Sequence, residues 1–402
     1  MTVLHGIRPD EETARKLDES DPLSSLRNQF SIPTGASGQP VMYFCGNSLG
    51  LPPAKANYYV QEVMDEWAAR GVHGHQQGPA PWFPYHELFH ETGARLVGAR
   101  PGEVIMMNSL TVNLHLLLTT FYRPEGKRQK ILMESPAFPS DIYCLQSHIA
   151  ARGLNPAEVL VTCGPSSGAD CLETTHFLQA IEQHGDELAT IMMGGVNFLT
   201  GQVLDMAAIT EAGHRVGAAV GFDLAHAAGN VIMSLHDWEV DFAAWCSYKY
   251  LNASPGAIAG AYIHETHATN RSLPRLAGWW GNEPDTRFRM HLEETFVPVD
   301  SADAWQLSNP PILAMAPLRA SLELFDTTGM PALRERSLRL TGYLRAMLES
   351  RPGCRYKVIT PEEDEQHGCQ LSIVIEGDAT DAFATIEAAD VVADFRPPNV
   401  SA

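Results

Sequence analysis

The stretch TIMMGGVNFLTGQVLDMAAITEAGHRVGAAVGFD, residues Thr190–Asp223, decides the fold of the chain. An apolar run at Thr190–Met193 is followed by an amphipathic segment at Met206–Val216 and by a second apolar run at Ala218–Phe222. Short apolar runs are typical of buried strands, and the apolar spacing between them is typical of a helix. A strand, a helix and a strand in this order predict a βαβ unit, whose two strands lie parallel in one sheet.

The same alternation extends in both directions, over about residues 100 to 265. The other runs that predict strands are Val104–Met107, Lys130–Met133, Val159–Thr162, Phe242–Cys246 and Ile258–Ile263. Further helical patterns lie at Asp141–Ala151 and Thr174–Gln183. We therefore predict an α/β fold whose large domain holds a mostly parallel seven-stranded sheet. Because the last two runs follow one another closely, we expect an antiparallel hairpin at the edge of that sheet.

The C-terminal quarter of the chain predicts a second, smaller α+β unit. Its segments are a helix with a leucine stripe, two strands and a final helix, at Gly329–Arg351, Tyr356–Thr360, Gln370–Ile375 and Asp381–Ala389. We expect a polar N-terminal arm with a short helix, a large domain and a small domain, over residues 1–40, 41–300 and 301–402.

Composition excludes several classes of protein. The chain has 402 residues, 45% of them hydrophobic, which is an ordinary globular profile with room for two domains. Its formal net charge of −20 argues against nucleic acid or an anionic membrane as a partner.

Cysteine usage and the chain start point to the cytoplasm. None of the seven cysteines has CxxC spacing, so we expect no disulfide framework and no metal site. The N-terminal residues are charged and lack the apolar core of a secretory signal, and no apolar run is long enough to span a membrane.

The strongest chemical signal joins Asp223, in FDLAHAAGN, to Lys249, in WCSYKYLN. Asp223 ends an apolar strand, where open α/β sheets bind ligands, and its carboxylate suits a protonated pyridine nitrogen. Lys249 lies among Trp245, Tyr248 and Tyr250, which disfavour the ammonium form and leave an amine able to form a Schiff base. Taken alone, Asp223 is better explained as a helix cap and Lys249 as a surface residue. Together they indicate a pyridoxal-phosphate (PLP) site.

Two further segments suit the rest of such a cofactor. In MNSLTVNLHLLL, a helix begins near Leu110, and its free N–H groups with the Thr111 hydroxyl predict a phosphate site. In ESPAFPSDIY, Phe138 on a Pro-bracketed turn suits stacking on a flat ring, and Pro139–Asp141 opens another helix. Without the Asp223 and Lys249 signals, simple helix capping is the preferred explanation of both segments.

Across most of its length, the chain resembles kynureninases, PLP enzymes of the aspartate-aminotransferase-like fold type I. The resemblance rests on motifs that occur in the family's order and spacing: YFCGNSLGLPP (43–53), LTVNLH (110–115), AFPSD (137–141), TGQ (200–202), FDLAHA (222–227), CSYKYLN (246–252), GWWG (278–281), SNPP (308–311) and GCQLS (368–372). The combination of GNSLG with SYKYLN is specific to this family.

The resemblance implies a homodimer that hydrolyses L-kynurenine or 3-hydroxy-L-kynurenine to L-alanine and an anthranilate, within tryptophan catabolism and NAD biosynthesis. It makes Lys249 the Schiff-base lysine, which then removes the Cα proton, and Asp223 the partner of the pyridine nitrogen. The other implied cofactor contacts are Leu110, Thr111, Phe138, Pro139, Ser140, Asp141, His226 and Tyr248, with Trp279 and Asn309 reaching across from the partner subunit. Tyr248 is our hypothesis for an acid/base beside the phosphate.

Three residues bear on the choice of substrate. GHxxG upstream of a Trp, together with SNPP, resembles the kynureninases that prefer 3-hydroxykynurenine. His75, Ser308 and Asn309 fall in these motifs, and the polar groups of His75 and Asn309 suit a ring hydroxyl. A loop histidine in a Gly/Gln/Pro-rich stretch is an equal explanation of His75.

Two features depart from the family. Phe198 and Leu199 stand where aromatic hydroxyls are common, and the sequence ends at PPNVSA, before the segment that carries the family's carboxylate-binding arginine. From that ending we expect a small domain without its last strand and helix, and Arg396 is not the counterpart of that arginine. We expect PLP binding with weak or absent turnover unless another arginine substitutes. The alternatives are an aminotransferase, a cysteine desulfurase, or an inactive dimerisation partner.

Overall fold

The computed structural model describes residues 8–351, 353, 355–377, 379–397 and 400–401. Its strands are β1 Met42–Tyr43, β2 Val104–Met107, β3 Lys130–Glu134, β4 Leu160–Cys163, β5 Leu188–Gly194, β6 Ala219–Asp223, β7 Phe242–Cys246, β8 Ala259–Ile263, β9 Tyr356–Val358, β10 Ile373–Ile375, β11 Val391–Val392, β12 Phe395–Arg396 and β13 Val400–Ser401. Its helices are α1 Glu11–Glu19, α2 Ala56–Arg70, α3 His90–Val97, α4 Leu110–Phe121, α5 Pro139–Ala151, α6 Pro156–Val159, α7 Thr174–His184, α8 Met206–Val216, α9 Glu265–Ala268, α10 Ile312–Thr328, α11 Met330–Glu349 and α12 Thr380–Ala388. Cys354 lies outside the described residues.

The large sheet has seven strands in the order β2-β8-β7-β6-β5-β3-β4. The βαβ prediction for Thr190–Asp223 is confirmed, since β5 and β6 pair in parallel and α8 connects them. Successive side chains of β5 alternate between two apolar layers, with Ile191 in one and Met192 in the other. Because both faces are covered, the strands are apolar throughout, as in a sheet with helices on both sides.

The prediction of an edge hairpin is half wrong. β7 and β8 are antiparallel neighbours, as expected, but β8 lies inside the sheet and β2 forms the edge beside it. Every residue of Ala259–Ile263 is buried, which an edge strand does not require. Gly260 permits the close packing of this strand, because a Cβ there would lie 2.1 Å from Cε2 of Trp245.

The small C-terminal unit contains a four-stranded sheet in the order β12-β13-β10-β9. In the sequence, α11 precedes β9 and α12 follows β10. A separate two-stranded parallel pair joins the ends of the chain, because β1 pairs with β11. This pair brings the loop after β1 and the segment after β11 to the same edge of the large sheet. Among the described residues, no helix combines the length and the apolar character needed to cross a bilayer.

Asp241 immediately precedes β7 and is the centre of a buried hydrogen-bond network. Its carboxylate accepts hydrogen bonds from Nε2 of His214 at 2.9 Å, Nε2 of His267 at 2.6 Å and the Val220 amide at 2.6 Å. Burial alone would raise the pKa of Asp241, but the hydrogen bonds from the two histidines hold that pKa below its ordinary value. The hydrogen bond to Asp241 in turn raises the pKa of His214.

We expect Asp241→Asn to lower the free energy of unfolding by about 2–3 kcal/mol, because the amide cannot accept all three hydrogen bonds. The low pKa of Asp241 stabilises the fold above pH 3.8, and the raised pKa of His214 stabilises it below pH 6.5. The loss is therefore largest between these values and shrinks outside them. Urea denaturation of both proteins at several pH values measures this difference in the free energy of unfolding. Asp186→Asn, at an exposed ion pair with Lys127, is the control that should change little.

Candidate active site

A cavity of about 470 Å³ opens at the carboxyl ends of the parallel strands. The residues that line it come from both ends of the chain and from the large sheet: Asn47, Ser48, Ser109, Leu110, Thr111, Glu134, Phe138, Ser140, Asp141, Gly194, Val196, Phe198, Asp223, Ala225, His226, Tyr248, Lys249, Asp394 and Arg396. The sequence motifs that suggested PLP chemistry therefore meet in one place, although they are spread over more than a hundred residues.

Asp223 ends β6 at the floor of this cavity and is almost fully buried. Its Oδ1 accepts a hydrogen bond of 2.6 Å from the Ala225 amide. Burial raises the pKa of Asp223, while the Ala225 amide and the Lys249 charge oppose that rise. A cationic ring nitrogen would remove the cost of ionising this carboxyl group.

Two more carboxyl groups lie close to Asp223. Burial raises the pKa of Asp141 well above its ordinary value, and the charge of Asp223 and a hydrogen bond with it add to the effect. Burial also raises the pKa of Glu134 to about 7, against the hydrogen bond that its Oε1 accepts from the Gly194 amide at 3.0 Å. The hydrogen bond between them raises the pKa of Asp141 and lowers that of Asp223, which favours the negative charge on Asp223.

Lys249 follows β7 and projects into the cavity, where its Nζ lies 2.8 Å from Nε2 of His226. Burial, followed by the charges of Lys249 and Arg396, lowers the pKa of His226 well below its ordinary value. The imidazole is therefore neutral, and its Nε2 lies within hydrogen-bond distance of the Lys249 amine. Nζ of Lys249 also lies 5.9 Å from the centre of the Phe138 ring, so the ring and the amine bound the same space.

The phosphate side of the cavity is formed by the starts of α4 and α5. Oγ1 of Thr111 and Oγ of Ser140 lie 3.1 Å apart, and neither helix has a side-chain cap on its first N–H groups. Uncapped helix starts leave N–H donors available for an anion. Tyr248 lines the same cavity, and burial raises the pKa of its hydroxyl, so the phenol stays protonated.

Five predicted site residues do not line this cavity in the single chain. Pro139 is the first residue of α5 and lies between two residues that do, Phe138 and Ser140. The others belong to more distant segments: His75, Trp279, Ser308 and Asn309. The His75 ring packs edge-on against Trp82, and the Trp279 ring contacts Trp280 and Phe288.

The lining residues that sequence reasoning did not assign to the site include Asn47, Ser48, Glu134, Asp394 and Arg396. Asn47 and Ser48 fall in the GNSLG motif. That motif supported the family resemblance, but its residues alone did not indicate that they line the site. Glu134 ends a predicted strand, as Asp223 does, and that position was a usable signal. Asp394 and Arg396 reach the cavity through the small unit, which no local pattern revealed.

The residues present fit PLP. Several buried polar atoms in the cavity have no partner within the described part of the chain: the side-chain amide of Asn47, Nδ1 of His226 and Oε2 of Glu134. A flat, polar ring with a phosphate can lie between Phe138, Asp223 and the helix starts of α4 and α5. Lys249 then provides the amine that holds its aldehyde carbon.

The sequence is similar to bacterial kynureninases over its whole length. It is 50% identical to the kynureninase of Myxococcus xanthus over 400 residues, covering 100% of this chain and 93% of the relative. It is 47% identical to the kynureninase of Koribacter versatilis, covering 97% and 92% of the two chains. The family model described as "Kynureninase C-terminal domain" matches residues 333–401.

Solved structures share the fold at low sequence identity. A mutant of C-DES with glycine covalently linked to the PLP cofactor has a TM-score of 0.74 and 17% identity, over 93% of each chain. The cysteine desulfurase CsdA from Escherichia coli has a TM-score of 0.71 and 16% identity, over 92% of this chain and 87% of its own. At this identity the likeness confirms the fold type I prediction for the chain.

Proposed function

The chain belongs to the kynureninase family, whose members are PLP-dependent hydrolases, and we propose that it hydrolyses the β,γ carbon–carbon bond of 3-hydroxy-L-kynurenine in preference to L-kynurenine. One water is consumed, and the products are L-alanine and 3-hydroxyanthranilate. We assign this reaction to tryptophan catabolism and NAD biosynthesis in the cytoplasm. An aminotransferase or a desulfurase is not favoured, because the relatives that match nearly the whole chain are kynureninases.

The observation that carries the proposal is the meeting of Lys249, Asp223 and two uncapped helix starts around one cavity. An amine, a buried carboxylate and a phosphate-binding cradle are each common in proteins. A protein that uses them only for structure has no need to gather all three around 470 Å³ of open space.

When bound, PLP supplies a ring that withdraws electrons from the substrate carbon next to the nitrogen. The task of Asp223 is to hold its negative charge against the ring nitrogen. Asp141 supports it by donating a proton to it in a hydrogen bond, so that the pair carries one charge rather than two.

Lys249 has two tasks in the proposal. Its amine would hold the cofactor in the resting enzyme, and the same Nζ, once free, would take the proton from the substrate Cα. The neutral His226, 2.8 Å away, accepts a hydrogen bond from that amine and adds no second positive charge. His226 thereby orients the lysine without competing for the proton.

Tyr248 is the proposed acid/base for the later proton transfers. Burial and the neighbouring Cys246 raise the pKa of its hydroxyl, so the group is a proton donor at neutral pH. Its place in the cavity, together with Leu110, Thr111 and Ser140, suits a hydrogen bond to the phosphate. A phenol in that position can pass a proton to the substrate carbon after bond cleavage.

The proposal includes a homodimer in which each subunit completes the cavity of the other. Ser308 and Asn309 are exposed in the single chain, and His75 is exposed on a short helical turn. We propose that these residues and Trp279 contact the cofactor and substrate of the partner subunit. There, the polar side chains of His75 and Asn309 would hydrogen-bond the 3-hydroxyl group of the substrate.

The test is a comparison of two substrates with the purified protein and PLP. We expect release of L-alanine from both, with kcat/KM about fivefold higher for 3-hydroxy-L-kynurenine, since one hydrogen bond contributes about 1 kcal/mol. Alanine and the fluorescent anthranilates report the reaction, while a keto acid or sulfide product would identify another PLP enzyme. Equal kcat/KM values would refute the preference and leave the reaction itself established.

A further inference from the structure

Three side chains of metal-binding type meet away from the cofactor cavity. His86 and His90 lie just before and at the start of α3, and Asp303 lies on the short turn Ala302–Trp305. Their ligand atoms all lie within 4.8 Å of one another. Nε2 of His90 is 3.1 Å from Oδ1 of Asp303, which is a hydrogen bond, whereas Nε2 of His86 is 3.8 Å from Oδ2, which is too long for one. An ion between the three side chains would bridge that gap.

The spacing of these atoms suits a tetrahedral ion. Zinc with bonds of about 2.0–2.1 Å separates its ligand atoms by about 3.3 Å, and the observed 3.1 Å and 3.8 Å lie on either side of that value. His86 is 2% exposed, and burial favours the neutral imidazole, which is the form that binds metals. Two imidazoles and one carboxylate are a common ligand set for zinc, and they leave a fourth position for water.

The charges around the cluster permit a cation. Arg287 is the positive side chain beside it, but the hydrogen-bond donors of Arg287 are used elsewhere. Its Nη2 donates to the carbonyl oxygens of Trp280 and Asn282 at 2.6 Å and 3.2 Å, and its Cζ lies 4.6 Å from the centre of the Trp280 ring. The carboxylate of Asp303 therefore stays available to the two histidines, or to an ion that they bind.

Two other clusters in the described part of the chain contain residues of the same types, but their groups are used by the fold. They are Glu103, His236 and His264, and His115, Cys144 and His148. In the first cluster, the carboxylate already accepts hydrogen bonds of 2.8 Å from the amides of Arg100 and Glu265. In the second, Nη1 of Arg152 lies 2.9 Å from Nδ1 of His148, so a fixed cation contacts a would-be ligand. Neither cluster favours an ion.

We propose that His86, His90 and Asp303 bind one divalent zinc ion per chain, at a structural site separate from the cofactor cavity. The cysteine spacing could not indicate this site, because its ligands are histidines and an aspartate from two distant segments. None of the three is among the described residues that line the cavity, so the ion has no part in the chemistry there. Its effect is to tie the start of α3 to the turn Ala302–Trp305.

The segments joined in this way carry residues assigned above to the partner's cavity. His75 lies on the segment that leads to His86, and Ser308 follows Asp303 closely in the sequence. The His86 ring also lies edge-on to Trp280, with 6.1 Å between ring centres. The ion would therefore fix the surface that faces the partner subunit. This consequence rests on the proposed homodimer, but the binding of the ion does not.

The zinc content of the PLP-loaded protein tests the site. The protein is dialysed against Zn²⁺ and then against metal-free buffer, and the retained zinc is measured by atomic emission. We expect one zinc ion per chain in the unmodified protein. In His90→Gln and Asp303→Asn, zinc affinity should fall at least about 10-fold, which is the loss seen when even an outer partner of a ligand is removed. His115→Gln is the matched control and should retain its zinc, and the PLP absorption band shows that each variant folds.

Two measurements on the unmodified protein do not depend on the variants. Zn²⁺ at 100 times its dissociation constant should raise Tm by about 3 °C. Co²⁺ in place of zinc should give the visible absorption of a tetrahedral ion without the thiolate band that Cys144 would add. Failure of the unmodified protein to retain zinc, full zinc affinity in His90→Gln, or a thiolate band would overturn the assignment. None of these measurements needs turnover, so a failure of the proposed function is seen separately.

Discussion

Lys249→Ala should reduce kcat for alanine release by at least about 1,000-fold, because the variant loses both the covalent attachment of PLP and the base for the Cα proton. The effect is expected to be the largest of any single substitution in the chain. No other cavity-lining lysine exists in the described part of the protein to replace it. Single-turnover kinetics with added PLP separate the two losses, since attachment is bypassed there and proton removal is not.

Borohydride reduction gives an independent readout of the same residue. In the unmodified protein, the PLP adduct should be recovered on the peptide that contains Lys249, and in Lys249→Ala no lysine should carry it. Lys130→Ala is the control, because Lys130 is also partly buried but pairs with Glu187 and does not line the cavity. An adduct on another lysine, or normal turnover of Lys249→Ala, would disprove the central assignment.

Asp223→Asn is expected to reduce kcat about 100- to 1,000-fold, the range seen when one preorganised electrostatic contact is removed from a buried site. The amide is similar in size but carries no charge, so the ring nitrogen is no longer held protonated. The visible band of bound PLP should persist, because Lys249 still provides the covalent link. Kinetics and titration of PLP measure the two properties separately.

Asp141→Asn provides the contrast. Burial and the neighbouring Asp223 raise the pKa of Asp141 well above its ordinary value, so an amide changes the charge at this position less than at Asp223. We expect a decrease in kcat of at most about tenfold, from the altered hydrogen bond. Equal losses in Asp223→Asn and Asp141→Asn would mean that the negative charge is not concentrated on Asp223.

Much of the fold was predictable, because apolar runs of strand length indicate strands in a sheet whose two faces are both buried. The strands around Thr190–Asp223 appeared where expected, within a residue or two at each end. The interior position of β8 was not predictable from its neighbours in sequence. It depends on β2, more than a hundred residues earlier, pairing with Ala259–Ile263. Pairing between distant strands is set by packing that no local pattern reports.

The residues of the site were also predictable only in part. Asp223, Lys249, Phe138 and Thr111 lie at strand ends and helix starts, where residue type and position together indicate chemistry. Arg396 was set aside on sequence grounds, because it precedes the position at which the family carries its carboxylate-binding arginine. Its contact with Phe198 depends on how the small unit lies against the large sheet. Such a contact follows from tertiary structure alone.

The parallel pairing of Met42 with Val391 and Tyr43 with Val392 has a consequence for synthesis on the ribosome. The nascent chain can assemble Asp223 and Lys249 on their strands long before residue 391 leaves the exit tunnel. The GNSLG loop cannot be anchored until then, since the partner strand of β1 is translated more than 300 residues after it. A growing polypeptide can therefore bind the cofactor before the pocket closes around it.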